Sequence, residues 1–232
     1  MRGIIRPGER LPSERDLADR LGVSRPSLRE AISTLQDRGL LTTKANAGVF
    51  VAELLGAPFS PSLTELFSTH DEAVFDYISF RSDLEGMAAE RVANLGSETD
   101  LKVIQAIFDK MKVAHDNKDS SEEASLDAQF HMAIIEASHN VFLLHMVRSM
   151  FEMLKKGVFY NRQVMFSRHT TRGTLLEQHR SICNAIQNRN AKGARKAIED
   201  HMDFIKTCMQ EVKKAEANEE IAKLRLDHTT TS

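Results

Sequence analysis

Tryptophan is absent, and the 232 residues hold only two tyrosines, two cysteines and five prolines. Two cysteines, Cys183 and Cys208, exclude a disulfide scaffold and fit a reducing, cytoplasmic setting. No apolar run approaches the roughly 18 residues of a spanning helix, so no membrane partner is expected. The first residues, Met1 to Pro7, lack the long apolar stretch of a secretory signal. No proline follows Pro61, and leucine and methionine are plentiful, which leans the chain toward helix. Motifs of common catalysts are missing too. There is no HExxH, no GxSxG, no phosphate-binding glycine loop and no paired catalytic carboxylate near a histidine set.

Hydrophobic residues make up 41% and charged residues 28%. That composition supports a buried core and argues against disorder. The length allows one domain or two. Charge is unevenly spread: residues 1–55 carry nine basic and seven acidic side chains, the remainder 22 and 26. A small basic head on a larger acidic body suggests two jobs.

Glycines at 8, 22, 39 and 48 punctuate the head. Ser13 followed by Asp16 reads as a helix cap, with Leu17 and Leu21 on one apolar face. Ser24 caps a second helix that tolerates Pro26 in its first turn. Leu28, Ile32 and Leu35 face inward at helical spacing. Two short β-rich runs, Leu40 to Thr43 and Val49 to Val51, flank a turn. Helix, short turn, helix and hairpin is the order of a winged helix-turn-helix. The second helix of such a unit reads the major groove with its N-terminal residues. Here those are Ser24, Arg25, Ser27 and Arg29. Arginine suits a two-pronged grip on guanine, and serine reaches phosphate or base edges. Arg15 would lie beside the backbone. Lys44 and Asn46 on the hairpin tip are candidate phosphate or minor-groove contacts.

Residues 56–70 read as a linker around Pro58 and Pro61. Helical periodicity dominates residues 71–215, with helices expected at about 71–94, 98–117, 120–138, 141–166, 170–189 and 191–214. Residues 216–232 read as a charged, fraying tail. Asp127 and His131 are four apart and share one helical face. His179 and His201 lie within later helices. An inward carboxylate and imidazoles need partners or a metal. Mixed oxygen and nitrogen ligation would suit Zn, Ni, Mn or Fe. Spacing alone does not bring the four together; solvated or core-bonded histidines fit equally. Arg148 sits mid-helix, where a buried cation needs an anion.

Arg6 to Arg15, Leu21 to Glu30, Gly39-Leu40-Leu41 and Gly48 to Val51 resemble the DNA-binding domain of GntR-family bacterial regulators. The resemblance implies DNA contacts at Arg15, Ser24, Arg25, Ser27, Arg29 and the wing turn near Asn46 to Gly48. The family has a further helix ahead of Pro7-Gly8-Glu9, so the head is expected to carry a truncated first helix. Phe80 to Glu85, Asp127 to His131, Ala137 to Asn140, the His179 segment and Ala197 to His201 resemble the all-helical FCD domain of the FadR-type subfamily. That resemblance implies an antiparallel bundle of six to seven helices. It also implies a divalent cation held by Asp127, His131, His179 and His201, with Arg81 beside a small carboxylate effector.

The mainly α chain is thus expected to be a transcription regulator, a repressor and not an enzyme. A homodimer would bind a pseudo-palindromic double-stranded operator. Pyruvate, lactate or glycolate is the effector class implied. A bundle with a purely structural metal, or a metal-dependent enzyme, are the competing readings.

Overall fold

The computed structural model describes residues 8–44, 47–52, 70–155 and 169–231. Asn46 and nearly all of the 56–70 linker lie outside them. Two compact units divide the chain, Met1–Pro58 and Phe59–Ser232. Among the described residues there are eight helices and one two-stranded sheet, so the protein is mainly α.

In the first unit, α1 spans Glu14–Leu21 and α2 Arg25–Asp37. Each begins on a serine cap. The Ser13 hydroxyl accepts from the Asp16 N–H at 3.2 Å, and Ser24 from the Ser27 N–H at 3.3 Å. Gly22 ends α1 in the left-handed region at φ 65°, which a side chain would disfavour. The hairpin pairs β1 (Leu41–Lys44) with β2 (Gly48–Val51), placing Leu41 opposite Val51 and Lys44 opposite Gly48. The segment Gly8 to Leu11 borders the other edge of β2. The Gly8 N–H donates to the Val51 carbonyl at 2.9 Å and the Leu11 N–H to the Val49 carbonyl at 2.8 Å. This covers an edge that would otherwise expose unpaired backbone.

Ala18, Leu28, Ile32 and Leu41 form this unit's core, with Leu11, Leu17, Val49 and Val51 packed against it. Leu21 and Leu35, expected to face inward, are 59% and 37% exposed. Leu21 is the last residue of α1, a full turn beyond the contact that Leu17 and Ala18 make. Leu35 likewise lies past Ile32.

The second unit is a helical bundle: α3 (Asp71–Leu95), α4 (Glu98–Asp116), α5 (Ser120–Ala137), α6 (Val141–Lys155), α7 (His169–Gln187) and α8 (Ala191–Thr231). Its interior is aliphatic and continuous. Ile78, Ala88 and Val92 of α3 meet Ile104 and Phe108 of α4, Phe130 and Ile134 of α5, Ile182 and Ile186 of α7, and Ile198 and Met202 of α8. Ser97 and Asp100 form a reciprocal capping box at the start of α4.

Two distant turns are tied to that corner. His139, at φ 52° after α5, places Nε2 2.8 Å from Asp100 Oδ2. Arg189, at φ 56° after α7, donates to the Gly96 carbonyl at 2.5 Å and to Glu98 at 2.7 Å. Non-glycine residues in this backbone region are strained, and the side-chain bonds offset the cost.

Arg172 sets the register of α7 on α5. Its guanidinium grips both oxygens of buried Glu123, at 2.7 and 3.1 Å, and reaches the His115 carbonyl at 3.0 Å. Two-pronged pairs of this kind fix geometry as well as adding energy.

The helix expected to stop near residue 214 instead runs to Thr231. The apolar periodicity ends there, and residues 214–230 are exposed. Alanine, glutamate, lysine, leucine and arginine persist without glycine or proline, so local propensity continues the helix after packing has ended. Ile104→Ala is expected to destabilise the bundle by about 2–5 kcal/mol, since Ile104 is completely buried. Deleting residues 215–232 should shift its urea midpoint by far less.

Candidate functional site

Asp127 and His131 project from α5, His179 from α7 and His201 from α8. Each sits one turn from a core residue, such as Phe130, Ile182 or Ile198, and is carried inward by the same helical face. Asp127 is 4% exposed and the three imidazoles are completely buried. Their ligand atoms all lie within 4.8 Å of one another. Asp127 Oδ1 is 3.1 Å from His179 Nε2 and 3.7 Å from His131 Nε2. The two Nε2 atoms stand 3.3 Å apart.

The other ring nitrogens determine what these contacts are. His131 Nδ1 lies 2.6 Å from Glu85 Oε2, His179 Nδ1 2.6 Å from the Leu175 carbonyl, and His201 Nδ1 2.9 Å from Gln178 Oε1. The Leu175 carbonyl and Gln178 Oε1 accept, so His179 and His201 carry the proton on Nδ1, and the close Glu85 carboxylate favours the same tautomer in His131. A neutral imidazole has only one N–H, which leaves three bare Nε2 lone pairs directed at one another. The Nε2 of His201 is buried with no hydrogen-bond partner. Facing lone pairs and an orphaned acceptor are unfavourable by themselves. A cation among them answers both problems, so the residues fit a metal ion. Three nitrogens and one carboxylate match a borderline transition metal better than the all-oxygen shells of magnesium or calcium.

Burial pushes His131 and His201 toward the neutral form. His201 is held well below its ordinary 6.5, by desolvation first and then by the neighbouring His179 and His131. His131 is also lowered by burial, against the opposing pull of Glu85. Burial raises the Glu85 carboxyl, but Arg81 and His131 together outweigh it and bring it down to about 2.

Arg81, on α3, is 3% exposed. Its Nε bonds Glu85 Oε1 at 2.6 Å in a buried ion pair. One carboxylate thus separates Arg81 from His131. Arg148, on α6, has its anion in Glu136 of α5 at 2.6 Å. The sequence does not place Glu85 or Gln178 behind the histidines. Acceptors behind a histidine obey no fixed spacing, so no local pattern marks them.

In the first unit, Arg15, Ser24, Arg25, Ser27 and Arg29 are all exposed, the last four in the cap and first turns of α2. The Ser24 and Ser27 hydroxyls lie 2.8 Å apart. Arg29 Nε is bonded to Glu14 Oε2 of α1 at 2.6 Å, a partner that sequence spacing did not suggest. Lys44 sits 4.7 Å over the Phe50 ring. Gly48 has φ 104°, and a Cβ there would approach Arg10 Nε to 2.9 Å. Gly48 therefore lies close against the Arg10 side chain.

Comparison with known proteins bears on both units. Residues 1–51 match the family described as bacterial regulatory proteins, gntR family, and residues 76–204 match the FCD domain. The chain is 34% identical to the Glc operon transcriptional activator of Escherichia coli K12 over 90% of its length and 84% of that protein. It is 30% identical to the HTH-type transcriptional regulator LutR of Bacillus subtilis, over 89% of its length and 94% of that protein. Among solved structures, a Streptococcus agalactiae GntR protein shares the fold, with TM-score 0.55 and 22% identity over 88% of this chain and 91% of that one.

The shifted groups predict a pH dependence in the presence of a chelator. Folded His131 and His201 resist protonation, whereas the unfolded chain takes up protons below about 6.5. Stability from each is present above that pH and declines by about 1.4 kcal/mol per unit as pH falls. Glu85 adds a loss below its ordinary 4.5 as pH approaches about 2. The urea midpoint should drop from pH 7 to pH 5. An unchanged midpoint would mean that the folded histidines bind protons freely.

Proposed function

The chain belongs to the gntR family of bacterial regulators and carries an FCD domain, and from that premise we propose that a small carboxylate bound at a metal centre in its helical unit controls its grip on an operator. Transcriptional regulation is the work of its relatives, which are regulators rather than enzymes. The observation that carries the finer reading is the buried, unpartnered Nε2 of His201 facing Asp127, His131 and His179.

Asp127, His131, His179 and His201 would hold the ion, with Zn, Ni, Mn or Fe as the class. Bound there, it would supply a Lewis-acid position for the carboxylate of pyruvate, lactate or glycolate. The chain's own residues supply the rest. The aliphatic shell of α5, α7 and α8 excludes water, which strengthens charge interactions at the site. Arg81, whose charge is felt at both His131 and His201, is the proposed partner for the effector's second oxygen. Arg148, held by Glu136, is the second candidate.

The division of labour follows. Residues 1–55 read DNA, 56–70 link, 71–215 sense the effector and dimerise, and 216–232 extend the last helix. Arg25, Ser24, Ser27 and Arg29 enter the major groove, Arg15 meets the backbone, and Lys44, Asn46 and Gly48 form the wing tip. A homodimer presents two such helices to a pseudo-palindrome in the cytoplasm. Phe142 is 77% exposed and Met146, one turn on, is 38% exposed, giving α6 an apolar face suited to a second subunit. No helix of the described residues is long and apolar enough to cross a membrane.

The effector shifts the equilibrium only through unequal affinity for the free and DNA-bound forms. Release, hence repression relieved by a metabolite, is the expected sign.

Fluorescence anisotropy with the protein's own upstream DNA, at one stated salt concentration, tests this reading. Selective binding should be released by one of the three acids, only without chelator, and not in Asp127→Ala. Tighter binding with the acid would make the protein an effector-dependent activator. Indifference to every acid, with metal bound, would leave the ion structural and overturn the effector reading. Arg25→Ala should cost about 1–3 kcal/mol at the operator and relax its sequence preference.

A further inference from the structure

We propose that Glu85 and Gln178, neither of them a ligand, are positioning residues that decide which nitrogen His131 and His201 present to the ion. The inference rests on the metal reading above and assigns work to two side chains outside the four-residue set.

Three observations carry it. First, the acceptors lie on the far side of each ring. Glu85 Oε2 is 2.6 Å from His131 Nδ1, and Gln178 Oε1 is 2.9 Å from His201 Nδ1. Gln178 pins the proton on Nδ1 of His201, and the close carboxylate of Glu85 favours the same tautomer in His131, so both rings bare Nε2. Groups that orient metal-binding histidines in this way raise ligand basicity and fix the ring plane.

Second, Glu85 is itself immobilised. Arg81, one turn earlier on α3, holds its other oxygen at 2.6 Å, and both side chains are at most 3% exposed. A buried ion pair is a poor source of stability, because desolvation offsets most of the attraction. Aiming a fixed carboxylate at His131 gives the pair a purpose that stability does not. It also ties α3, which supplies none of the four ligands, to the centre.

Third, Gln178 and His179 are neighbours in α7. One helix thus contributes a ligand with one residue and orients a ligand from α8 with the next. His131 and His201 stack with centroids 5.1 Å apart and planes 23° apart, and both rings depend on these acceptors for that orientation. The two supports are unequal in kind. A carboxylate stands behind His131 and a neutral amide behind His201, which makes His131 the stronger donor.

Titration of the full-length protein with Co²⁺, read by its visible absorption and by thermal shift, tests the proposal. Wild type should give a saturable spectrum. Gln178→Leu should bind about 10- to 100-fold more weakly with an altered spectrum, while its metal-free melting temperature stays near wild type. Gln178→Glu keeps an acceptor and should retain affinity within about threefold. Glu85→Gln should weaken binding in the same direction as Gln178→Leu. If Gln178→Leu folds and binds with wild-type affinity and spectrum, the positioning role is overturned, whatever becomes of the Glu85 variant. If wild type shows no saturable Co²⁺ absorption, the metal reading itself fails and this inference with it.

Discussion

Three buried, bare imidazole nitrogens facing one nearly buried carboxylate are the constraint on which the helical unit turns. Such a cluster cannot be placed in an aliphatic core casually. Each lone pair has lost its water, and the Nε2 atoms of His131 and His179 approach to 3.3 Å. The surrounding Phe130, Ile134, Ile182, Ile198 and Met202 supply the burial free energy that carries this cost. The same packing sets the axial register of α5, α7 and α8, without which the four donors would not converge. Arg172 on Glu123 reinforces that register two turns from His179.

The DNA-binding unit obeys a different economy. Among the described residues, four side chains are buried in its apolar cluster, a small core for a folded unit. Local devices carry a larger share: serine caps, left-handed glycines and an extra backbone segment along β2. Those devices leave the start of α2 exposed, with the Ser27 N–H capped by Ser24 and Arg29 held by Glu14 of α1. Ser24 serves both ends at once, capping α2 while lying in the exposed polar surface proposed to meet DNA.

Much of this was legible in the sequence. Caps at Ser13 and Ser24 announced two helix starts, because capping depends on residues three apart and on nothing distant. Asp127 and His131 were legible as a pair for the same reason. His179 and His201 were visible as candidates, but only resemblance joined them to that pair. Other features were not legible. Leu21 and Leu35 have the spacing of core residues yet lie at the ends of their packing contact, which a pattern cannot foresee. The continuation of α8 past residue 214 follows from propensity after amphipathicity has ceased, so periodicity ended the helix too early.

What the chain determined locally was the identity and extent of most helices, the order of a winged helix-turn-helix, and the kinds of atom available to a cation. Each depends on neighbours within one or two turns. Only the tertiary structure decided that four ligand atoms from three helices meet within 4.8 Å, and that Glu85 and Gln178 stand behind two of the rings. Only the fold, too, set Glu14 against Arg29 across 15 residues. Those outcomes depend on how far one helix slides and rotates against another. That quantity is set by the whole of the packed interior, and no local spacing contains it.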